Sequence, residues 1–213
     1  MSRLIFLLLS LYWLLACTGS SATKTEDTSG AALEEIERLD DYGHTERFQR
    51  RITDSAREGR YQRFNADGVL IEEAFYQNDT LHGDRVLFYE TGDTLSVEQY
   101  DMGSFEGEFR QYYENGKLQL RGPYVNNEMS GQWRQYYETG ELMEIVTFAN
   151  NLENGPFVEY YRNGELKAKG AYLNGDYEHG LLQLYNEAGE LVRKMNCEEG
   201  VCRTIWRAEG EDS

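Results

Sequence analysis

The residues that could do chemistry are few and scattered. The three histidines, His44, His82 and His179, lie far apart, and no cysteine stands near them as a further metal ligand. The sequence contains no serine nucleophile motif and no H-E-x-x-H motif, and its periodic glycines indicate turns rather than a phosphate-binding loop. We therefore predict no catalytic residue, no metal site and no cofactor, and we do not expect an enzyme.

Glutamates recur next to turns at one position of a repeating pattern, as Glu90, Glu114, Glu138 and Glu187. This placement is typical of a solvated edge. A weak ladder of divalent-cation sites is the alternative, although aspartates do not occur at regular ligand spacing. Nothing in the sequence indicates two carboxylates in different environments, so a glycosidase is not supported.

A row of tyrosines is the strongest candidate for a binding surface. Tyr89, Tyr113, Tyr137 and Tyr161 recur every 24 residues. In a stacked array their rings would line up about 10 Å apart, where they could stack on sugars or anchor a protein partner. The alternative is that the rings only cover the sheet and one another.

Two cysteines near the end of the chain are predicted to form a disulfide. Cys197 and Cys202 flank the turn at 198–201, so they could face each other across a hairpin. Such a bond persists in an exported protein and would hold the last hairpin together. Two buried thiols are the alternative, and a zinc site is disfavoured because no histidine is near.

The first residues indicate export and a lipid anchor. Residues 4–15 form an apolar run that is too short to cross a membrane and typical of a signal peptide. Leu14, Leu15, Ala16 and Cys17 resemble the bacterial lipobox. This resemblance implies that Cys17 is lipidated and anchors the protein in the cell envelope, in the outer membrane of a diderm host because Thr18 follows it. An ordinary secretory signal or an uncleaved anchor is the alternative.

The charge of the chain limits its partners. Lys and Arg number 21 and Asp and Glu number 38, which gives a net charge of −17. A surface that binds nucleic acid needs clustered basic residues, so nucleic acid is excluded as a partner. The aromatic residues, 16 Tyr, 9 Phe and 3 Trp, are too many for a disordered acidic chain.

The elements that would position these residues follow from a repeat. Two series of glycines recur at a spacing of 24 residues with one step of 25: Gly59, Gly83, Gly107, Gly131, Gly155 and Gly180, and Gly68, Gly92, Gly116, Gly140, Gly164 and Gly189. Strand-forming segments precede the second series, and pairs such as Asn115-Gly116 predict two-residue hairpin turns in which both residues have positive φ. Aromatic residues fall on both faces of the predicted strands, so a bulge or a sheet with two aromatic faces is required.

We therefore predict an all-β fold, an elongated open antiparallel β-meander of about six hairpin repeats, preceded by a short helical segment at 31–41. The predicted organisation is a signal peptide at 1–16, a flexible tether at 17–30, a helical segment and capping strand at 31–58, repeats at 59–82, 83–106, 107–130, 131–154, 155–179 and 180–203, and a capping strand with an acidic tail at 204–213.

The repeat itself resembles a known family. Residues 112–118, YYENGKL, and residues 160–166, YYRNGEL, are similar to the bacterial variant of the MORN repeat (membrane occupation and recognition nexus). The resemblance extends over residues 59–203 and implies an elongated array of β-hairpins without shared chemistry. Members serve as scaffolds or binding modules, and some related bacterial proteins are described as antitoxins.

These observations favour a non-enzymatic, lipid-anchored protein of the cell envelope that binds a protein partner through its repeat sheet. One alternative is a module that binds cell-wall glycan through the tyrosines at 89, 113, 137 and 161. The other is an antitoxin-like protein that neutralises a partner.

Overall fold

The computed structural model describes residues 25–26 and 30–210, and within them every regular element is a β-strand. The strands form one antiparallel sheet in which neighbours in sequence are neighbours in space. The strands are β1 Thr25–Glu26, β2 Ala32–Leu39, β3 Thr45–Arg51, β4 Arg57–Phe64, β5 Leu70–Gln77, β6 Thr80–Leu81, β7 Gly83–Phe88, β8 Thr94–Asp101, β9 Ser104–Phe105, β10 Gly107–Tyr112, β11 Leu118–Val125, β12 Glu128–Met129, β13 Gly131–Tyr136, β14 Leu142–Ala149, β15 Leu152–Tyr160, β16 Leu166–Tyr172, β17 Gly180–Tyr185, β18 Leu191–Glu198 and β19 Val201–Arg207.

The sheet is open, which confirms the predicted fold class. The pairing runs from β1 and β2 at one end to β18 and β19 at the other, and no strand pairing among the described residues joins these two ends. The short strands β6, β9 and β12 each pair with the same neighbour as the long strand that follows them, so each such pair acts as one interrupted strand.

The helical segment predicted at 31–41 is wrong, because these residues form β2. The three-residue spacing of Leu33, Ile36 and Leu39 suggested one apolar helical face, but Leu33 is buried while Leu39 is 70% exposed. An isolated helix of this length is marginal in water. As a strand the segment pairs with β3 from Leu33 to Leu39 and forms ion pairs across the two strands, such as Arg38 Nε to a Glu46 carboxylate oxygen at 2.7 Å.

The turns at the second glycine series differ from the predicted type. The backbone N–H of Gly116 donates to the Tyr113 carbonyl at 2.8 Å, and that of Tyr113 donates to the Lys117 carbonyl at 2.9 Å. Only Gly116 has positive φ, at 78°. The Asn115 side-chain oxygen accepts the Lys117 N–H at 3.0 Å, which keeps Asn115 right-handed. In each of these loops, two residues with right-handed backbone conformation are therefore followed by a left-handed glycine. This is a common three-residue connection of a β-hairpin.

Turns with two left-handed residues occur instead at the other end of the strands. Asn126 and Asn127 have φ of 51° and 68°, and they join the paired residues Val125 and Glu128. The Asn127 N–H donates to the carbonyl of Phe105 in the preceding repeat at 3.0 Å. The same geometry recurs at Asn78 and Asp79, Met102 and Gly103, Asn150 and Asn151, and Glu199 and Gly200.

A bulge occurs at the same place in all six predicted repeats. In the hairpin of β10 and β11, Gln111 faces Leu120 whereas the next residue, Tyr112, faces Leu118. Equivalent shifts precede Phe64, Phe88, Tyr136, Tyr160 and Tyr185. The bulge leaves one residue of the second strand unpaired and changes the direction of the side chains around it. This confirms that a bulge accompanies the aromatic residues expected on both faces.

One face of the sheet, which we call the core face, carries the buried apolar residues. At one end Phe48, Tyr61 and Ala74 form a cluster, and at the other end Val146, Phe157, Ala168, Leu182 and Cys197 form a second cluster. Aromatic rings bridge the region between them, including Phe105 on Tyr124 at 3.9 Å between ring centroids. Because no second layer covers this face among the described residues, stacking of repeats buries it.

The predicted disulfide is present in the terminal hairpin. Cys197 on β18 and Cys202 on β19 are directly paired, with their Cα atoms 4.0 Å apart, and their sulfurs are bonded. Cys197 belongs to the second core cluster. The bond therefore links the last strand to the buried apolar residues.

Gly122 is expected to be intolerant of a side chain. Its φ is ordinary, but a Cβ there would overlap the indole of Trp133. We predict that Gly122→Ala lowers the free energy of unfolding by about 2 kcal/mol, because the ring must move within a packed row. The measurement is denaturant unfolding of the full chain. In a Trp133→Leu background the same change should cost less, and an equal cost in both backgrounds would contradict the assigned contact.

Candidate interaction surface

The structure brings the four predicted tyrosines into one row. Tyr89, Tyr113, Tyr137 and Tyr161 each follow the first strand of a hairpin, and each is half-buried. Every hydroxyl donates to a backbone carbonyl one repeat later, at 2.7 Å to Tyr112, 2.7 Å to Tyr136, 2.8 Å to Tyr160 and 2.8 Å to Tyr185. These bonds join five consecutive repeats along one side of the sheet.

The hydroxyl bonds limit what the row can offer to a ligand. Each hydroxyl proton is used within the protein, so a sugar would have to rely on the ring faces for stacking. One of these faces is already covered, because the Arg162 guanidinium lies 4.9 Å from the centre of the Tyr137 ring. A role of this row in binding remains a prediction, whereas its contribution to joining the repeats follows from its geometry.

The cavity on the core face was not predicted. Its volume is about 370 Å³, and it lies between β15 and β18 in the last third of the chain. Apolar walls come from Phe157, Leu182 and Leu184. Polar groups come from Glu159, Tyr161, Lys167, Tyr172, Glu178 and Arg193. Apolar and polar side chains therefore both line the cavity, a combination that is typical of ligand sites.

Carboxylates gather on the core face next to this cavity. Glu144 on β14 is directly opposite Glu159 on β15. The Lys167 ammonium lies 2.6 Å from the Glu159 carboxylate, and this hydrogen bond raises the pKa of Lys167. Burial, followed by the charges of Glu159 and Glu153, raises the pKa of Glu144 to about 7. Burial and the same carboxylates also raise the pKa of Tyr172.

The carboxylates described here do not provide the ligand set of a metal site. Glu144 titrates near neutral pH, but among the described residues no group of three or more His, Cys, Asp or Glu side chains is placed to hold a metal ion. Among the residues that the structure describes, no helix is long and apolar enough to cross a membrane. No signal in the sequence could have located the Glu144–Glu159 pair, because the two residues belong to different repeats and meet only through the strand register.

Several sequence predictions fall outside the described residues. They are the lipidated Cys17, the signal peptide at 1–16 and most of the tether at 17–30. The predicted capping strand at the start of the repeats corresponds to β3, and the one at the end corresponds to β19.

Four segments of the chain match the MORN repeat variant, at residues 57–78, 105–126, 129–150 and 153–174. Each segment contains one hairpin of the sheet, beginning with β4, β9, β12 and β15 respectively. The hairpins of β7 with β8 and of β17 with β18 lie outside the match but have the same bulge. No characterised protein has significant similarity to the chain.

Removing one tyrosine hydroxyl should weaken the contact between repeats. We predict that Tyr137→Phe lowers the free energy of unfolding by about 1 kcal/mol, because the Tyr160 carbonyl loses its donor. Thermal or urea unfolding measures this change. Tyr160→Phe is the matched control, since the Tyr160 hydroxyl makes no hydrogen bond among the described residues, and it should be nearly neutral. Equal effects of the two substitutions would contradict a structural role for the ladder hydroxyls.

Glu144 should make stability depend on pH. Its pKa in the folded protein lies above the ordinary value of 4.5, at about 7, so the folded state retains a proton that the unfolded chain has lost. Its contribution to stability is therefore greatest below pH 4.5 and falls as the pH rises to about 7. Because the carboxyl is only half-buried, solvent screening reduces the total change to about 1 kcal/mol.

Glu144→Gln tests this dependence. The variant should be about 1 kcal/mol more stable than the wild type at pH 8 and equally stable at pH 4, as measured by urea unfolding at the two pH values. Glu138→Gln, at an exposed turn, is the control for the loss of one negative charge. A gain at pH 8 that Glu138→Gln reproduces would show that net charge, rather than the pair with Glu159, is responsible.

Proposed function

We propose that the protein is a non-enzymatic binding scaffold of the bacterial cell envelope, anchored through a lipid on Cys17, and that it binds a protein partner through its sheet. A repeated β-hairpin sheet of the MORN type fits a protein-binding scaffold. The anchor is supported by residues 14–17, which resemble a lipobox, and by the disulfide, which suits an exported protein.

The observation that carries the proposal is the exposed apolar surface of the last strand. On β19, Val201 is 64% exposed, Ile205 61% and Trp206 43%. β18 pairs with one edge of β19, and no described strand pairs with its other edge. Natural proteins normally protect a free edge with charges or cover it, because a free apolar edge readily pairs with another chain. The edge of β19 also carries Arg203 and Arg207, and its unpaired backbone groups and apolar side chains fit a strand of a partner.

The opposite end of the sheet differs in this respect. β2 carries Glu34, Glu35 and Glu37, and β1 covers its start. Charged side chains on an edge strand oppose pairing with other chains. The two ends are therefore not equivalent: β19 exposes Val201, Ile205 and Trp206, whereas β2 exposes one large apolar side chain, Leu39, beside its glutamates.

The proposal is tested by photo-crosslinking in cells that produce the full chain. A photoreactive phenylalanine derivative replaces Ile205 on β19 in one variant and Leu39 on β2 in the control, since Leu39 is equally accessible at 70% exposure. We expect a discrete protein adduct from position 205 and none from position 39. The absence of an adduct from position 205, or the same adducts from both positions, would contradict binding at this edge.

The same experiment in a Cys17→Ala background tests the anchor. The substitution removes the only cysteine outside the disulfide, so no acyl chain can be attached there. The variant should leave the membrane fraction, and the adduct should decrease if the partner is itself a membrane protein. Membrane association that Cys17→Ala leaves unchanged would contradict a lipid anchor at this residue.

A further inference from the structure

A row of three arginines crosses the middle of the sheet on the face opposite the core face. Arg110 on β10 is directly paired with Arg121 on β11, and Arg121 is directly paired with Arg134 on β13. Each arginine is adjacent in sequence to a residue of the core face, Phe109, Gly122 or Trp133, so its own side chain points to the other face. Neighbouring strands place the three side chains about 5 Å apart.

These charges are poorly neutralised within the protein. Arg110 has one acidic neighbour, Glu108, at 3.6 Å between Nε and a carboxylate oxygen. Arg134 donates to the neutral Gln132 side chain at 2.9 Å. Arg121 makes no hydrogen bond or ion pair with any described residue. The Nε atoms of Arg110 and Arg121 are covered and have no acceptor.

Elsewhere in the sheet, charged residues that face each other are neutralised by carboxylates. Arg63 faces Glu72, and Arg85 faces Glu98, and both pairs are bonded. Where two arginines do face each other near the start of the sheet, each has its own carboxylate: Arg50 has Glu34 at 2.8 Å, and Arg57 has Asp79 at 2.5 Å. Like charges on directly facing residues destabilise a sheet. The row of arginines therefore lowers stability, and it is a basic patch in a chain of net charge −17. Both features indicate a negatively charged partner that would neutralise the row.

We propose that Arg110, Arg121 and Arg134 bind an acidic segment of a partner protein. The proposal rests on the proposed function, since it assigns the chemistry of one partner surface to the same scaffold. A helix that crosses the strands presents carboxylates at i, i+3 and i+7, which are about 4.5 and 10.5 Å along its axis from the first. One and two strand spacings are about 4.8 and 9.6 Å. Guanidinium groups bind such carboxylates in a bidentate manner.

Apolar side chains continue the surface beside the arginines. Ile145 on β14 faces Val158 on β15, in the same row of the sheet as Arg134. Tyr112 and Tyr136 lie two residues after Arg110 and Arg134 on the same strands, hence on the same face. A partner helix that is acidic along one line and apolar beside it would match both features.

The test uses a synthetic helical peptide with glutamates at i, i+3 and i+7 and leucines beside them, labelled for fluorescence anisotropy. It is titrated with the full chain at about 50 mM and about 300 mM salt. The triple variant Arg110→Gln, Arg121→Gln, Arg134→Gln is compared with the control Lys117→Gln, Arg162→Gln, Arg203→Gln, which removes the same charge from exposed positions. A triple Arg→Lys variant retains the charge but not the bidentate geometry.

We expect the wild type and the control to bind the peptide at low salt, with weaker binding at high salt. The triple Gln variant should bind about tenfold more weakly, and the Lys variant should fall between them. Without peptide, the triple Gln variant should have a higher Tm than the wild type at low salt because the like charges are gone. A Tm increase also shows that loss of binding does not reflect misfolding.

Three results would overturn the proposal. The first is equal peptide binding by the wild type and the triple Gln variant. The second is binding of the wild type to vesicles of anionic phospholipid but not to the peptide. The third is dimerisation of the wild type that the triple Gln variant loses, which would assign the row to a second copy. If the crosslink from position 205 persists in these cases, the proposed function stands without this inference, and if it too is absent, both fail.

Discussion

The structure depends on one constraint: a single-layer sheet has no second layer against which to bury its side chains. Each repeat must therefore obtain its contacts from the repeats beside it, at the same position of the 24-residue period. The Tyr hydroxyl bonds on one side of the sheet and the turn bonds on the other both follow this rule, because each crosses to an adjacent repeat. Glycine at 122 extends the rule to the core face, where the Trp133 ring of the next repeat occupies the space that a Cβ would take.

The two halves of the core face meet this constraint in different ways. In the first half, buried Glu72 accepts bonds from Arg63 at 3.0 Å and Arg85 at 2.7 Å, and Arg85 continues to Glu98. In the second half, Trp133, Val146 and Phe157 are buried side by side. Charged pairs with little exposure must be matched in register, whereas apolar side chains tolerate substitution of similar volume. The first half therefore combines register-specific ion pairs with the apolar cluster of Phe48, Tyr61 and Ala74, and the second half relies on apolar contact and the disulfide.

The sequence predicted the features that repeat and missed those that depend on register. Periodic glycines were sufficient for the hairpins, the open meander and the number of repeats, and the flanking positions of Cys197 and Cys202 were sufficient for their bond. The helix at 31–41 was wrong because the spacing of Leu33, Ile36 and Leu39 does not reveal that β3 offers a paired neighbour. The turn type at the second glycine series was wrong because the Asn115 side-chain bond to the Lys117 N–H keeps Asn115 right-handed, although Asn tolerates positive φ.

The sites proposed for interaction share a physical property, which is that they depart from what stability alone would favour. A sheet selected only for stability would not place three arginines side by side, or Ile205 and Trp206 on a free edge. Each arrangement has an identifiable unfavourable effect: repulsion between guanidinium groups, or apolar surface in water. Each effect would be relieved by a group of complementary chemistry from another molecule: a carboxylate or an apolar strand. The repeats on both sides of each unfavourable arrangement fix the strand register. The scaffold can therefore tolerate the local loss of stability and still present these groups in fixed positions.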